Sequence, residues 1–160
     1  MEVKCFPVKI SSTNTEKYAD YANQRIIFLN NKLVRRSLYD IVPYSTRRFC
    51  EDTPVIVPLL YYANKVSYVN TQGYFYLQHN ASLCRRVNNF EQALFKALCS
   101  AECKEFFADK GDEYKNLISE PEFIQYLAII KQTMTPELRD KYLKELGELT
   151  PRILNLINIG

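Results

Sequence analysis

The sequence predicts an α/β chain in which an incomplete mixed sheet is followed by a C-terminal helical region. Three observations lead there. Residues 65–70 alternate in character, turn at Thr71-Gln72-Gly73 and resume in the aromatic run 74–77, the pattern of an antiparallel hairpin. Glu51 and Asp52 stand directly before an apolar run opened by Thr53-Pro54, which is a helix start with two carboxylates at its positive end. From Asn89 onward the chain is a succession of capping signals and helical apolar faces.

The first element is a strand over residues 3–10, where Val-Lys-Cys-Phe-Pro-Val-Lys-Ile partly alternates; Pro7 confines it to an edge or a bulge. A chain that opens in such a strand is expected to lack its beginning. Ser11 to Asn14 carry loop chemistry, and Thr15 to Asn23 form a short helix with Tyr18, Ala22 and Tyr21 inward. Ile26 to Leu29 is too short to assign from periodicity. Leu33, Leu38, Ile41 and Val42 then give a partial helical face, with Lys32, Arg35 and Arg36 elsewhere on it, until Pro43 ends the helix.

The helix headed by the acidic pair runs from Thr53 to Asn64 and offers Val55, Ile56, Leu59, Leu60 and Tyr62 for burial. Pro58 inside it removes a donor, so the helix is kinked or short. The hairpin follows, and His79 to Ser82 leave the sheet where polar side chains reach a pocket. Beyond it, Asn89-Phe90-Glu91-Gln92 is a capping box for a helix burying Phe90, Leu94, Ala97, Leu98 and Ala101. Ser119 to Glu122 has the same form, and Thr135-Pro136 and Thr150-Pro151 repeat the helix start seen at Thr53, giving about four helices in residues 89–160.

Composition bounds the function. At 160 residues, 47% hydrophobic and 24% charged, the chain has the make-up of a globular protein with one ordinary core, or a small half-domain plus an appendage, and is too short for two full domains. A net charge of +3 from interspersed residues, with no polybasic tail, argues against a nucleic-acid partner. The pairs Arg35-Arg36, Arg47-Arg48 and Arg85-Arg86 are solvated faces or, beside a pocket, phosphate contacts. Five cysteines, an odd number without a Cys-x-x-Cys pair, and a single His indicate free thiols in a reducing compartment and no zinc site; Cys99 and Cys103 fall on the same side of one helix. The sequence has neither a membrane-length apolar run nor a signal-peptide core, which makes the cytoplasm the default location.

Two readings of Asp52 follow from its place. It is a helix cap and nothing more, or it is an ionised, oriented carboxylate that serves as a base. His79 is likewise an exposed loop histidine or a site residue.

Three segments in this order resemble the carboxyl-terminal half of the catalytic domain in family 2 glycosyltransferases of the GT-A fold. Asn31-Lys32-Leu33-Val34-Arg35-Arg36-Ser37-Leu38 is similar to the family's basic Lys-Leu-x-Arg-Arg segment, without its usual Trp. Cys50-Glu51-Asp52-Thr53 is similar to the Glu-Asp motif at a helix start. Lys65 to Val69 followed by Tyr74 to Leu83 is similar to the last strand and its ending, with Leu77 where the family carries Arg. The resemblance implies a GT-A-like acceptor-side half over residues 1–87 and a helical appendage over 88–160. It implies an inverting, nucleotide-sugar-dependent transfer, as in cell-wall or surface polysaccharide synthesis, with Asp52 as catalytic base. Glu51, His79, Ser82, Lys32 and Arg36 would contact substrate.

The nucleotide-binding half of that fold and its Asp-x-Asp motif have no counterpart in the sequence. The resemblance therefore implies no cofactor in this chain, and a divalent Mg or Mn ion only in a complete enzyme. A sugar acceptor is the expected partner, with a nucleotide sugar only when the other half is present; a lipid-linked acceptor would bring peripheral membrane association. An exposed sheet face makes self-association a secondary expectation. The alternative is a non-catalytic protein-interaction module built on a glycosyltransferase remnant.

Overall fold

The structure is a computed structural model and describes residues 7–22, 28–45, 49–69, 88–111, 114 and 120–158. The chain divides into two units, one of Met1–Arg47 and Glu51–Gln78, the other of Arg48–Cys50 and His79–Gly160. The described residues are mixed α/β and mostly helical, with a two-stranded antiparallel sheet in the first unit.

Pro7 has no N–H to place in a ladder, and the sheet yields to it. Strand β1 (Pro7–Ser11) pairs antiparallel with β2 (Val66–Val69) in the register Ser11↔Val66, Ile10↔Ser67 and Lys9↔Tyr68. The next pair is Pro7↔Val69, so β1 has one residue more than β2 at the proline, a bulge of the kind the sequence predicts. The strand expected over 65–70 is thus present as β2. Its expected hairpin partner, 74–77, lies outside the described residues.

Helix α1 (Asn14–Ala22) opens on a capping box. Thr13 Oγ1 accepts from the Glu16 N–H at 3.2 Å, while Glu16 Oε2 accepts from the N–H groups of Ser12 and Thr13, each at 3.1 Å. Two side chains then fasten α1 to α2 (Thr53–Tyr62). Tyr18, only 2% exposed, donates its hydroxyl to the Val57 carbonyl at 2.9 Å, and Lys17 Nζ donates to the carbonyl of Ala63 at 2.6 Å. Ala63 closes α2, so a cation sits at the negative end of that helix. Burial holds the Lys17 pKa below the usual lysine range. A hydrogen bond from Ser11 Oγ to Asp20 Oδ2, 3.0 Å, ties the end of β1 to α1.

Helix α2 is apolar around most of its circumference, which suits a buried helix, and Val55, Ile56, Val57, Leu59 and Leu60 are all buried. It ends at Tyr62, short of the predicted Asn64, and Tyr62 is exposed because Ala63 already turns the chain to extended backbone. Pro58 is tolerated because the bond it forfeits would reach back only to Pro54, in the first turn.

The helical face expected from Leu33, Leu38, Ile41 and Val42 does not form. The described structure there is a single 3₁₀ turn, Arg36–Leu38, with Leu33 fully exposed and Ile41 57% exposed. Val42 instead joins Val55 and Leu59 in a small core against which Leu29, Val34, Leu38 and Tyr39 pack. That surface, rather than a helical repeat, sets the spacing of the apolar residues.

In the second unit α3 (Asn89–Phe107) is the central helix. Its capping box begins one residue earlier than expected: Asn88 Oδ1 accepts from the Glu91 N–H at 2.9 Å and Glu91 Oε2 from the Asn88 N–H at 3.2 Å. Either asparagine can cap, but Glu91 stands three residues after Asn88 and so decides the register. Phe90, Leu94, Ala97, Leu98 and Ala101 are buried as predicted. Ala93 and Phe95 join the core that α3 shares with α4 (Glu120–Thr133) and α6 (Leu143–Asn158); Cys99, Cys103 and Phe107 are buried too, Cys99 against Cys50 and Phe107 stacked on Tyr114. Full burial of each large side chain contributes about 1.5–3 kcal/mol. The chain leaves α3 through a turn ending at Gly111, whose φ of 125° suits glycine.

Lysine stems cover the edges of the α3–α4 contact, Lys96 over the Tyr126 ring and Lys104 over Phe123. Arg152 of α6 reaches Glu102 and Glu105 of α3 at 3.1 and 3.4 Å. Between them α5 (Pro136–Lys141) starts as the sequence predicts, with Thr135 Oγ1 accepting from the Leu138 N–H. The expected start at Thr150-Pro151 is overturned: α6 runs continuously through both residues. Thr150 Oγ1 donates back to the Leu146 carbonyl at 2.9 Å rather than capping a new helix. Tertiary packing of α6 on α3 outweighs the local cost of Pro151.

Candidate active site

Asp52 is half-buried and directly precedes the first turn of α2. Its carbonyl begins the helix, accepting from the N–H groups of Ile56 and Val55 at 2.8 and 3.1 Å. Its side chain makes no capping bond, and its own backbone is already helical, φ −66° and ψ −47°, where a cap residue is normally extended. The reading of Asp52 as a side-chain cap is therefore corrected. Pro54 has no N–H to offer, and the carboxylate takes the backbone N–H of Leu29 from the preceding loop instead.

That same loop brings Lys32 to Asp52. The two side chains interact electrostatically, and each is displaced from its ordinary proton affinity by burial. Desolvation raises the Asp52 carboxyl above the usual aspartate value, with the charge of neighbouring Glu51 adding to it; the Leu29 N–H and Lys32 oppose that rise. Desolvation lowers the Lys32 ammonium, and Asp52 opposes the fall. Lys32 Nζ also donates to the Phe28 carbonyl and to Asn31 Oδ1, which fixes the ammonium over its own loop.

Of the residues singled out by sequence, the structure thus joins Asp52 and Lys32, with Glu51 exposed beside them. Arg36 is exposed at the start of the 3₁₀ turn. His79 and Ser82 lie outside the described residues. The Leu29 N–H was beyond sequence reasoning, since a backbone donor leaves no trace in residue type. A second missed feature is the stacked pair Tyr39 and Tyr44, ring centroids 4.4 Å apart, with Tyr44 exposed. Burial and the hydrogen bond to Tyr44 push Tyr39 up to about 12.

Chemically, a half-desolvated carboxylate of raised pKa is a better proton acceptor than a solvated one. A neighbouring ammonium can compensate its charge or receive an anionic group. Among the described residues no cluster of three or more His, Cys, Asp or Glu side chains is placed to hold a metal ion. No described helix is long and apolar enough to cross a membrane. No protein-family model, curated protein or solved structure matches the chain.

Proposed function

We propose that the chain is the acceptor-side portion of an inverting, nucleotide-sugar-dependent glycosyltransferase of the GT-A family 2 kind, with Asp52 as its general base. One observation carries the reading: at the start of α2 the Asp52 carboxylate is free of capping duty, half-buried, raised in pKa and set beside Lys32. In the proposed step an acceptor hydroxyl loses its proton to Asp52 as its oxygen attacks the anomeric carbon. The bond from that carbon to the nucleotide diphosphate breaks on the opposite face, and configuration inverts. A divalent cation in the donor half of a complete enzyme would steady the departing diphosphate. The charge of Lys32 offsets part of the rise at Asp52 and so favours the ionised base, and exposed Glu51 and Arg36 border the acceptor.

A second reading, a non-catalytic interaction module, is favoured by the exposed apolar side chains Phe28, Leu33, Ile41 and Tyr44. Saturation-transfer NMR against a panel of oligosaccharide acceptors separates the two. The enzyme reading expects saccharide contacts that weaken in Asp52→Asn and Lys32→Ala; absence of any saccharide contact supports the module. Calorimetry of the isolated chain with nucleotide sugars and manganese is expected to give no micromolar heat signal, because the sequence lacks the Asp-x-Asp motif.

A further inference from the structure

Cys50 has a φ of 56°, the left-handed region that a side chain with a Cβ enters at a cost on the order of 1 kcal/mol or more. Among the described residues it is the only non-glycine residue there. That backbone state accompanies a sulfur contact. Cys99 Sγ donates to the Cys50 carbonyl at 3.0 Å, and the Cys50 side chain is near enough to act on the Cys99 thiol electrostatically. Phe49 holds the segment on α3, its ring 6.1 Å from that of Phe95.

The two thiols differ in access. Cys50 is half-buried and open to a small oxidant, whereas Cys99 is buried behind it on α3. The hydrogen bond with Cys50, together with burial, pushes the Cys99 thiol up, so it waits as a protonated donor. Cys103, one turn further along α3, is buried as well. Residues four apart on a helix hold their Cβ atoms about 5–6 Å apart, beyond the roughly 3.5–4.5 Å that a disulfide spans, so α3 would have to unwind before Cys99 could pair with Cys103.

We propose that Cys50 and Cys99 are a redox-active dithiol that a hydroperoxide closes to a disulfide. The Cys50 sulfur attacks the peroxide O–O bond, which breaks to leave Cys50 as its sulfenic acid and release one water when the oxidant is hydrogen peroxide. The Cys99 sulfur then displaces the hydroxyl as a second water, and the S–S bond forms. Two electrons pass from the sulfur pair to the peroxide, and both thiol protons leave in the waters. The bond fixes to α3 the residue that directly precedes Glu51 in the chain.

The test treats the full-length protein with hydrogen peroxide, blocks remaining thiols, and maps tryptic peptides without reduction. Cys50 falls in peptide 49–65, and Cys99 and Cys103 share peptide 97–104. The expected result is a cross-link between these peptides that reverts with dithiothreitol, persists in Cys103→Ser and is absent in Cys50→Ser. A 97–104 peptide lighter by two hydrogens and not cross-linked would show pairing of Cys99 with Cys103 and overturn the proposal. So would cross-links that favour Cys5 or Cys84, or a Cys50 driven to sulfinic acid with Cys99 still alkylatable. Loss of folding in Cys50→Ser leaves the outcome to the wild-type and Cys103→Ser maps, which decide it without that variant.

Discussion

Asp52 and Lys32 share one half-buried corner of the first unit, and the desolvation that raises the carboxyl also lowers the ammonium. Each partner's charge opposes its neighbour's drift without cancelling it, so burial remains the dominant influence at both groups. The Leu29 N–H completes the arrangement by donating to the carboxylate. The consequences are specific.

Asp52→Asn in a complete enzyme carrying this segment is expected to lower turnover about a hundredfold or more, the usual scale for a lost general base. Folding should survive, because no side-chain cap is removed. Glu51→Gln, at an exposed position, should cost less. Turnover and melting temperature measured on both variants check this, and near-full activity of Asp52→Asn would remove Asp52 from the chemistry.

The pH dependence of Asp52 has a definite sign. A carboxyl whose folded pKa lies above the ordinary 3.8 binds its proton more readily in the native state. The native state therefore carries a penalty above the folded pKa, and that penalty fades as pH falls through the raised value toward 3.8. Urea titrations should show wild type gaining on Asp52→Asn as the solution is acidified through that window. A gap that is flat or reversed would show that burial does not dominate at this carboxyl.

Glu91 behaves in the opposite sense. The Tyr142 hydroxyl, ahead of Lys141 and the Asn88 N–H, holds its carboxyl below the ordinary 4.5. Its stabilising contribution is present above that value and is lost as pH falls from there through the folded pKa. Tyr142→Phe removes a hydrogen bond to a charged acceptor and should cost about 1.5–3 kcal/mol at neutral pH. Denaturation at neutral and acidic pH should show the difference from wild type narrowing on acidification.

Pro151→Ala should stabilise the protein. Within a continuous α6, Pro151 forfeits the bond to the carbonyl of Gly147 and carries up to about 3 kcal/mol of helix cost. If a helix began at Thr150 instead, proline would suit its first position and alanine would bring no gain. Chemical denaturation of this exposed-site variant distinguishes the two backbone courses.

Leu98→Ala opens a cavity at a fully buried position of α3 and should cost about 2–5 kcal/mol. An exposed control on the same helix, Lys96→Ala, should cost well under half of that. Parallel urea titrations give both values.

What the sequence determined by itself is written within one or two turns of chain. The helix after Asp52, the buried face of α3, the Thr135 cap and the bulge at Pro7 all follow from capping groups, proline geometry and apolar spacing. The Thr13-x-x-Glu16 box lies among residues that read as a loop, and only the structure shows it opening α1. Tertiary structure alone decided which distant segments meet. Strand β2 pairs with β1 from the far end of its unit, and Lys32 comes to Asp52 because Leu29, Val34, Leu38 and Val42 pack against α2. The same packing replaced the helix expected over 33–42 with one 3₁₀ turn, and α6 passed through Thr150-Pro151 because its contact with α3 exceeds the proline's local cost. Capping and periodicity act on neighbouring residues, whereas burial free energy is collected over surfaces that only the folded chain brings together.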